Sequence, residues 1–164
     1  MIALVLGGAR SGKSEVGESL AARLPGPVTY VATAVATDAE MADRIATHRA
    51  RRPATWSTVE VGRGGDLGAA LRSLSGTAVV DSLGAWLASA VSFAVDGEGL
   101  CVDIAGRAGD TVVVSDEVGL GVHPSSEMGR HYRDALGALN QRVAATADQV
   151  LLVVAGRVLP LERA

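Results

Sequence analysis

The sequence is poor in several residue types, and each shortage excludes a class of structure. Cys101 is the only cysteine, so no internal disulfide can form, and no cysteine and histidine residues have the spacing of a structural zinc site. Aromatic residues make up 3% of the chain, so a hydrophobic core must consist mainly of small and branched aliphatic side chains. The lone thiol fits a reducing compartment, and we expect a cytoplasmic protein.

An excess of charge of one sign and a long apolar run are also missing. The formal net charge is −3, which gives no electrostatic footprint for nucleic acid or for a membrane surface. The apolar run at residues 2–6 meets glycines at once, so it is too short for a signal peptide or a membrane span. We therefore expect small-molecule partners, without nucleic acid or a membrane span.

The rest of the composition predicts one α/β domain over residues 1–164. Of the 164 residues, 48% are hydrophobic, which is enough for a full core. The apolar runs are continuous, as in strands covered on both faces, and segments with helical spacing separate them. This alternation favours a mostly parallel β-sheet covered by helices on both faces. The predicted buried strands are residues 2–6, 28–32, 77–80, 111–115 and 150–155.

Two segments fit this pattern less well. Residues 56–61 alternate in polarity, which predicts a strand at an edge of the sheet or in a separate ribbon. Residues 92–110 are weakly patterned and contain glycines. They predict either a helix-poor surface excursion or a reshaped connection between two strands.

A glycine-rich loop between the first predicted strand and a helical segment carries the clearest chemistry. It reads Gly7-Gly8-Ala9-Arg10-Ser11-Gly12-Lys13-Ser14, which has the G-x4-G-K-S spacing of a P-loop. In such a loop, backbone N–H groups and a helix N-terminus bind triphosphate oxygens, the lysine adds a point charge, and the serine hydroxyl binds Mg²⁺. A tight strand-to-helix turn is the alternative, but Lys13 is the only lysine in the chain. We predict a P-loop NTPase-like fold.

A magnesium site beside triphosphate also needs a carboxylate, which commonly follows a neighbouring strand. Asp81 follows residues 77–80, while Asp116 and Glu117 follow residues 111–115. Each acid could instead cap a helix or lie in a solvated turn. We rank Asp81 first and expect Ser14 and Asp81 to be the metal ligands.

A histidine among arginines is the second candidate for chemistry. Arg44 and His48 lie one helical turn apart, and Arg51 and Arg52 follow. Positive surroundings should lower the histidine pKa and leave a neutral ring nitrogen that can attack phosphorus. From the residues alone, a solvated surface histidine is the stronger reading, and His123 and His131 have no comparable setting.

These motifs and several others occur together in one family. The chain resembles the bifunctional adenosylcobinamide kinase and adenosylcobinamide-phosphate guanylyltransferase of cobalamin biosynthesis. The resemblance is carried by the P-loop, Tyr30-Val31-Ala32-Thr33-Ala34, Asp38-Ala39-Glu40-Met41, Arg44-Ile45-Ala46-Thr47-His48-Arg49, Arg52-Pro53-Ala54-Thr55-Trp56 with Glu60, Val79-Val80-Asp81-Ser82-Leu83, Glu117-Val118-Gly119-Leu120-Gly121, Arg133-Asp134-Ala135-Leu136-Gly137 and Asn140-Gln141-Arg142.

The resemblance implies a two-step enzyme with Mg²⁺ as cofactor. It would phosphorylate adenosylcobinamide with ATP or GTP and then transfer GMP from GTP through a guanylyl-histidine at His48. It also implies a homotrimer and a set of further nucleotide contacts. Besides the P-loop residues, these contacts are Ala32, Thr33, Ala34, Arg49, Ala50, Arg51, Arg52, Glu60 and Asp81.

Some positions depart from the family pattern, and two other functions compete with this one. Asp116 replaces the usual asparagine, residues 122–126 vary a segment that commonly reads I-V-P-E-N, and residues 92–110 are short. One alternative is a P-loop small-molecule kinase without nucleotidyl transfer, for which His48 would be dispensable. The other is a non-catalytic nucleotide-binding switch, which would turn over no corrinoid.

Overall fold

The computed structural model describes residues 1–34 and 39–163, except for the side chains of Glu40, Met41, Ala42, Arg44, His48 and Arg51. Asp38 of the predicted motif and the side chains of His48 and Arg51 therefore lie outside the described residues. In the described part of the chain, no helix has the length and hydropathy needed to cross a bilayer.

One sheet contains all seven strands of the described chain. They are β1 (Ile2–Gly7), β2 (Val28–Ala32), β3 (Ser57–Glu60), β4 (Thr77–Asp81), β5 (Thr111–Asp116), β6 (Gln149–Val154) and β7 (Arg157–Leu161). Their order is β3-β2-β4-β5-β1-β6-β7, and neighbours are parallel except for the antiparallel pair β6 and β7. The carboxyl ends of the parallel strands therefore share one edge of the sheet, where α/β proteins bind their ligands.

Short polar side chains begin several of the helices. Asp66, Ser82, Asp96 and Ser126 each accept a hydrogen bond from the backbone N–H three residues further on, which satisfies one of the free donors of a helix start. The helices are α1 (Lys13–Ala21), α2 (Ala39–Arg51), α3 (Leu67–Arg72), α4 (Leu83–Ser89), α5 (Gly97–Gly106) and α6 (Glu127–Thr146).

Buried side chains on both faces of the sheet confirm the predicted fold class. Leu4 and Val113 pack with α3, α4, α5 and α6 on one face, while Val5 and Val112 pack with α1 on the other. Successive strand residues point to opposite faces, so a continuous apolar run serves both clusters.

The weakly patterned segment at residues 92–110 contains helix α5, so the helix-poor alternative is wrong. Three of its ten residues are glycines, which lowers helical propensity and hid the pattern. Tertiary packing decides the outcome, because Leu100 and Ile104 are buried against α3 and α6. Helix α5 lies in the connection between β4 and β5, which agrees with the other alternative.

The two edges of the sheet differ from each other in how well the sequence predicted them. Strand β3 lies at one edge beside β2, so the edge-strand alternative for residues 56–61 is confirmed. At the other edge, β7 was not predicted. All of its residues are exposed, and it contains Pro160, as edge strands often do. Because no residue of β7 is buried, its sequence lacks the alternation of apolar and polar residues that predicts a strand. A turn at Ala155 and Gly156, both with positive φ, joins it to β6.

Candidate active site

The P-loop (residues 7–14) connects β1 to α1 in the predicted manner. Gly12 precedes the helix with φ of 93°, a conformation that favours glycine, and Arg10 also has a positive φ of 55°. A side chain at Gly7 would overlap Ser11 Oγ and lie 2.9 Å from the Val153 carbonyl oxygen. Glycine is therefore required at Gly12 by the backbone conformation and at Gly7 by the lack of space for a side chain.

Contacts from later strands hold the P-loop in place. The Gly156 N–H, in the turn between β6 and β7, donates to the Ser11 carbonyl at 2.8 Å. The Glu117 N–H donates to the Gly7 carbonyl at 3.0 Å. Asn140 on α6 donates to the Asp116 carbonyl at 3.0 Å and accepts from Ser115 Oγ at 2.6 Å, which fixes the end of β5 beside the loop.

Lys13 is paired inside the site. Its Nζ lies 2.8 Å from Asp116 Oδ1 and donates to the Gly8 carbonyl at 3.2 Å. The lysine side chain is 13% exposed and the Asp116 side chain 30%. A mostly buried ammonium is thereby neutralised, and arriving phosphate oxygens can replace these acceptors.

Asp81 has a different partner. Tyr30 on β2 donates its hydroxyl to Asp81 Oδ2 at 2.6 Å. Burial, followed by the Asp81 carboxylate, raises the pKa of Tyr30 above its ordinary value, so the phenol keeps its proton. Just beyond Asp81, the Thr33 hydroxyl donates to the Ser82 carbonyl at 2.7 Å and accepts from the Ser82 N–H at 2.8 Å.

Arg52 covers the face of Tyr30. Its guanidinium carbon lies 3.3 Å from the ring centroid, within the range of a cation–π interaction. Arg52 Nη1 also donates to Thr58 Oγ1 at 3.4 Å. Its Nε is buried and has no hydrogen-bond partner in the described part of the chain.

A cavity of about 310 Å³ joins these groups. The P-loop residues and the aspartates that line it are ones that the sequence singled out. Its lining includes Lys13, Ser14, Ala32, Ala34, Arg52, Asp81 and Asp116. Ser14 and Asp81 face the same cavity, and a hydroxyl with a carboxylate are the oxygen donors that Mg²⁺ prefers, so these residues fit a magnesium ion. Within the residues described, no three His, Cys, Asp or Glu side chains form a ready metal cluster.

The other predicted contacts whose side chains the structure describes are not among the residues that line this cavity. Thr33 is buried, and its hydroxyl forms hydrogen bonds with the backbone of Ser82. Glu60 is exposed at the end of β3, in register with Ala32, and Arg49 and Ala50 are exposed on α2. Ala9 and Arg10 are exposed on the P-loop. His123 and His131 are also exposed, and His131 contacts Phe93 with ring centroids 5.5 Å apart.

Two tyrosines of the cavity were not predicted as site residues. Tyr30 belongs to one of the segments that carry the resemblance, and no motif points to Tyr132 on α6. Tyr132 donates to the Gly84 carbonyl at 3.2 Å, and burial, followed by the charge of Asp116, raises its pKa to about 12. A signal was present, since the chain has only 2 tyrosines and both line this cavity. Aromatic scarcity made each a candidate for a specific task.

Comparison with known proteins now identifies the family. The sequence model of the family described as cobinamide kinase / cobinamide phosphate guanyltransferase matches residues 3–161. This chain belongs to that family. It is 44% identical to the bifunctional adenosylcobalamin biosynthesis protein CobP of Pseudomonas aeruginosa, over 97% of this chain and 96% of the relative. Identity to CobU of Salmonella typhimurium is 39%, over 95% and 97%.

A solved structure supports the fold independently of the family. The flagellar accessory protein FlaH of Methanocaldococcus jannaschii aligns with a TM-score of 0.52 at 13% identity, and the match covers 96% of this chain and 74% of FlaH. At that identity the likeness concerns the fold alone.

Proposed function

We propose that this enzyme phosphorylates adenosylcobinamide with ATP or GTP and then transfers GMP from GTP to the product, giving adenosylcobinamide-GDP. One observation carries the proposal: the P-loop lysine, Arg52 and the Asp81 carboxylate surround a single cavity in a chain that the family model matches from residue 3 to 161. Cations at such a cavity suit the anionic phosphates that both reactions transfer.

In the kinase step, the substrate hydroxyl attacks the γ-phosphorus, the bond to the bridging oxygen breaks, and the nucleoside diphosphate leaves. Lys13 leaves Asp116 for the β- and γ-phosphate oxygens, which P-loop N–H groups also bind. Ser14 and Asp81 would hold Mg²⁺, which would supply positive charge against the phosphates. The hydroxyl proton passes to solvent or to a carboxylate of the cavity.

In the transfer step, a neutral imidazole nitrogen of His48 attacks the α-phosphorus of GTP, and pyrophosphate leaves with the electron pair of the broken bond. A phosphate oxygen of the phosphorylated corrinoid then attacks the same phosphorus and releases the imidazole. His48 belongs to α2, and Arg52 follows it by four residues. Arg52 thus stands close in sequence to the nucleophile and stabilises the attacked phosphate.

The remaining nucleotide contacts are proposed on the family resemblance together with their location. Ala32 and Ala34 line the cavity, and Glu60 lies in register with Ala32 on the neighbouring strand. Thr33, Arg49, Ala50 and Arg51 complete the set. A cytoplasmic homotrimer is the assembly we propose, also by resemblance.

Labelling with GTP carrying ³²P at the α-phosphate tests the proposal. The parent protein should form an acid-labile, base-stable adduct and convert adenosylcobinamide first to its phosphate and then to the GDP derivative. His48→Ala should abolish the adduct and guanylyl transfer, while formation of adenosylcobinamide phosphate largely survives, because a kinase step needs no protein nucleophile.

The matched control is His123→Ala, because His123 is exposed and has no predicted task. It should label like the parent. Stoichiometric labelling of His48→Ala would overturn the assignment of the nucleophile. Kinase turnover without any labelling of the parent would leave a simple P-loop kinase, and the absence of both products would leave a nucleotide-binding switch.

A further inference from the structure

Tyr30 joins the two sides of the site. The residue is 3% exposed, so its position is fixed by the core. Its hydroxyl donates to Asp81 Oδ2 at 2.6 Å, and its ring face supports the Arg52 guanidinium at 3.3 Å. The two groups that we assign to metal binding and to phosphate stabilisation therefore rest on one side chain.

The register of the sheet fixes this arrangement. Tyr30 is paired with Thr58 on β3 and with Val79 on β4. Asp81 lies two residues beyond Val79, on the same face of the sheet as Tyr30. Thr58 accepts a hydrogen bond from Arg52, so the guanidinium spans the two adjacent positions of that face.

The chemistry of a phenol suits both contacts. A cation beside Asp81 would cancel its charge, as Lys13 does at Asp116, whereas a neutral hydroxyl orients the carboxylate and leaves its charge for a metal. The ring holds Arg52 by its flat face, which uses none of its five N–H donors.

We propose that Tyr30 is a positioning residue with two separable tasks, in which its hydroxyl orients Asp81 and its ring places Arg52 at the end of the helix that carries His48. Arg52 directly follows α2, so the ring contact also anchors that end of the helix to the sheet. This inference rests on the proposed function, since Asp81 and Arg52 receive their tasks from it.

The hydroxyl task is tested by Tyr30→Phe. Binding of a fluorescent, non-hydrolysable GTP analogue is measured against the concentration of free Mg²⁺. The Mg²⁺ concentration at half-effect should rise about tenfold, because a hydrogen bond to a charged group is lost. Affinity without Mg²⁺ and the rate of GMP labelling at saturating Mg²⁺ should stay near the parental values, since the ring remains.

The ring task is tested by Tyr30→Leu. It should show the same Mg²⁺ shift and also a fall of about tenfold in the rate of GMP labelling, since Arg52 loses its support. Tyr30 is a core residue, so Arg52→Lys provides a second route if Tyr30→Leu does not fold. That variant keeps the charge, loses the planar stacking group, and should slow labelling without moving the Mg²⁺ midpoint.

Tyr132→Phe is the matched control for the Mg²⁺ midpoint. It removes the second cavity hydroxyl, which donates to the Gly84 carbonyl instead of Asp81, so its midpoint should equal that of the parent. A parental midpoint in Tyr30→Phe would overturn the hydroxyl task. Equal labelling rates in Tyr30→Phe and Tyr30→Leu, or in Arg52→Lys and the parent, would overturn the ring task. Failure of the proposed function is distinct, because the parent itself would then not label.

Discussion

Two aspartates end neighbouring strands of one sheet, yet their surroundings differ. Asp116 ends β5, directly beside β1, and its carboxylate pairs with Lys13 at 2.8 Å. Asp81 ends β4, one strand further from β1, and accepts from the neutral Tyr30 hydroxyl at 2.6 Å. The same local pattern, an apolar strand that ends in an acid, thus gives a carboxylate paired with a cation at Asp116 and a carboxylate bound to a neutral hydroxyl at Asp81. The order of the strands decides which aspartate lies beside Lys13.

The largest effect is expected at the lysine of this pair. Lys13→Ala should weaken triphosphate binding about 100-fold, because a charge-assisted contact to the phosphates is lost and Asp116 is left facing them. The residue lies at the start of a helix outside the core, so thermal melting should barely shift. Titration calorimetry with GTP measures the first effect and scanning calorimetry the second. Parental GTP affinity would contradict the P-loop assignment.

Exchange of each aspartate for asparagine tests the comparison directly. Asp81→Asn should raise the Mg²⁺ concentration for half-maximal kinase activity about tenfold or more, because a charged ligand becomes neutral. Asp116→Asn should change it by less than about threefold, since the ligands that we assign to Mg²⁺ are Ser14 and Asp81 and not Asp116. If Asp116→Asn raised the required Mg²⁺ concentration more than Asp81→Asn, the metal ligand would be Asp116 and not Asp81.

A smaller effect is expected from a substitution that adds a methyl group beside Asp116. A methyl group at Gly84 would overlap Asp116 Oδ2 and lie 2.9 Å from the Tyr132 hydroxyl, while Asp81 has no part in the clash. Gly84→Ala should lower Tm by roughly 2–12 °C, as overpacking costs about 1–3 kcal/mol. It should leave the Mg²⁺ midpoint unchanged. The control is Gly137→Ala in α6, where a methyl group meets no atom within 4 Å and Tm should not fall.

The smallest predicted effect concerns alkaline pH. The pKa of Tyr132 is about 12 in the folded protein against 10.0 for an ordinary tyrosine. Between these two pH values the folded state retains a proton that the unfolded state has lost. The stabilisation that Tyr132 contributes is therefore complete below pH 10 and is lost as pH rises toward 12. In Tyr132→Phe, Tm should fall less steeply between pH 9 and about 11.5 than in the parent. Equal slopes would contradict the assignment of the shift to Tyr132.

The sequence predicted the fold class and the phosphate end of the site because both depend on local patterns. Continuous apolar runs gave five of the strands, and the P-loop spacing located Lys13 and Ser14 on one loop. The pairing of Lys13 with Asp116 was out of reach, since it depends on which strand lies beside β1. The same holds for Tyr30, whose contact with Asp81 joins residues 51 apart in the chain. Helix α5 was missed because packing, and not propensity, stabilises it.

The position of β1 between β5 and β6 also affects when the P-loop can fold during translation. The nucleotide loop leaves the ribosome early, but the partners of its strand are residues 111–116 and 149–153, and Gly156 supplies a further contact. Translation at about 5–20 residues per second puts roughly 5–30 s between synthesis of the loop and synthesis of those strands. During that interval β2, β3 and β4 can pair with one another while β1 has no neighbour. We therefore expect nucleotide binding only after nearly all of the chain has been made.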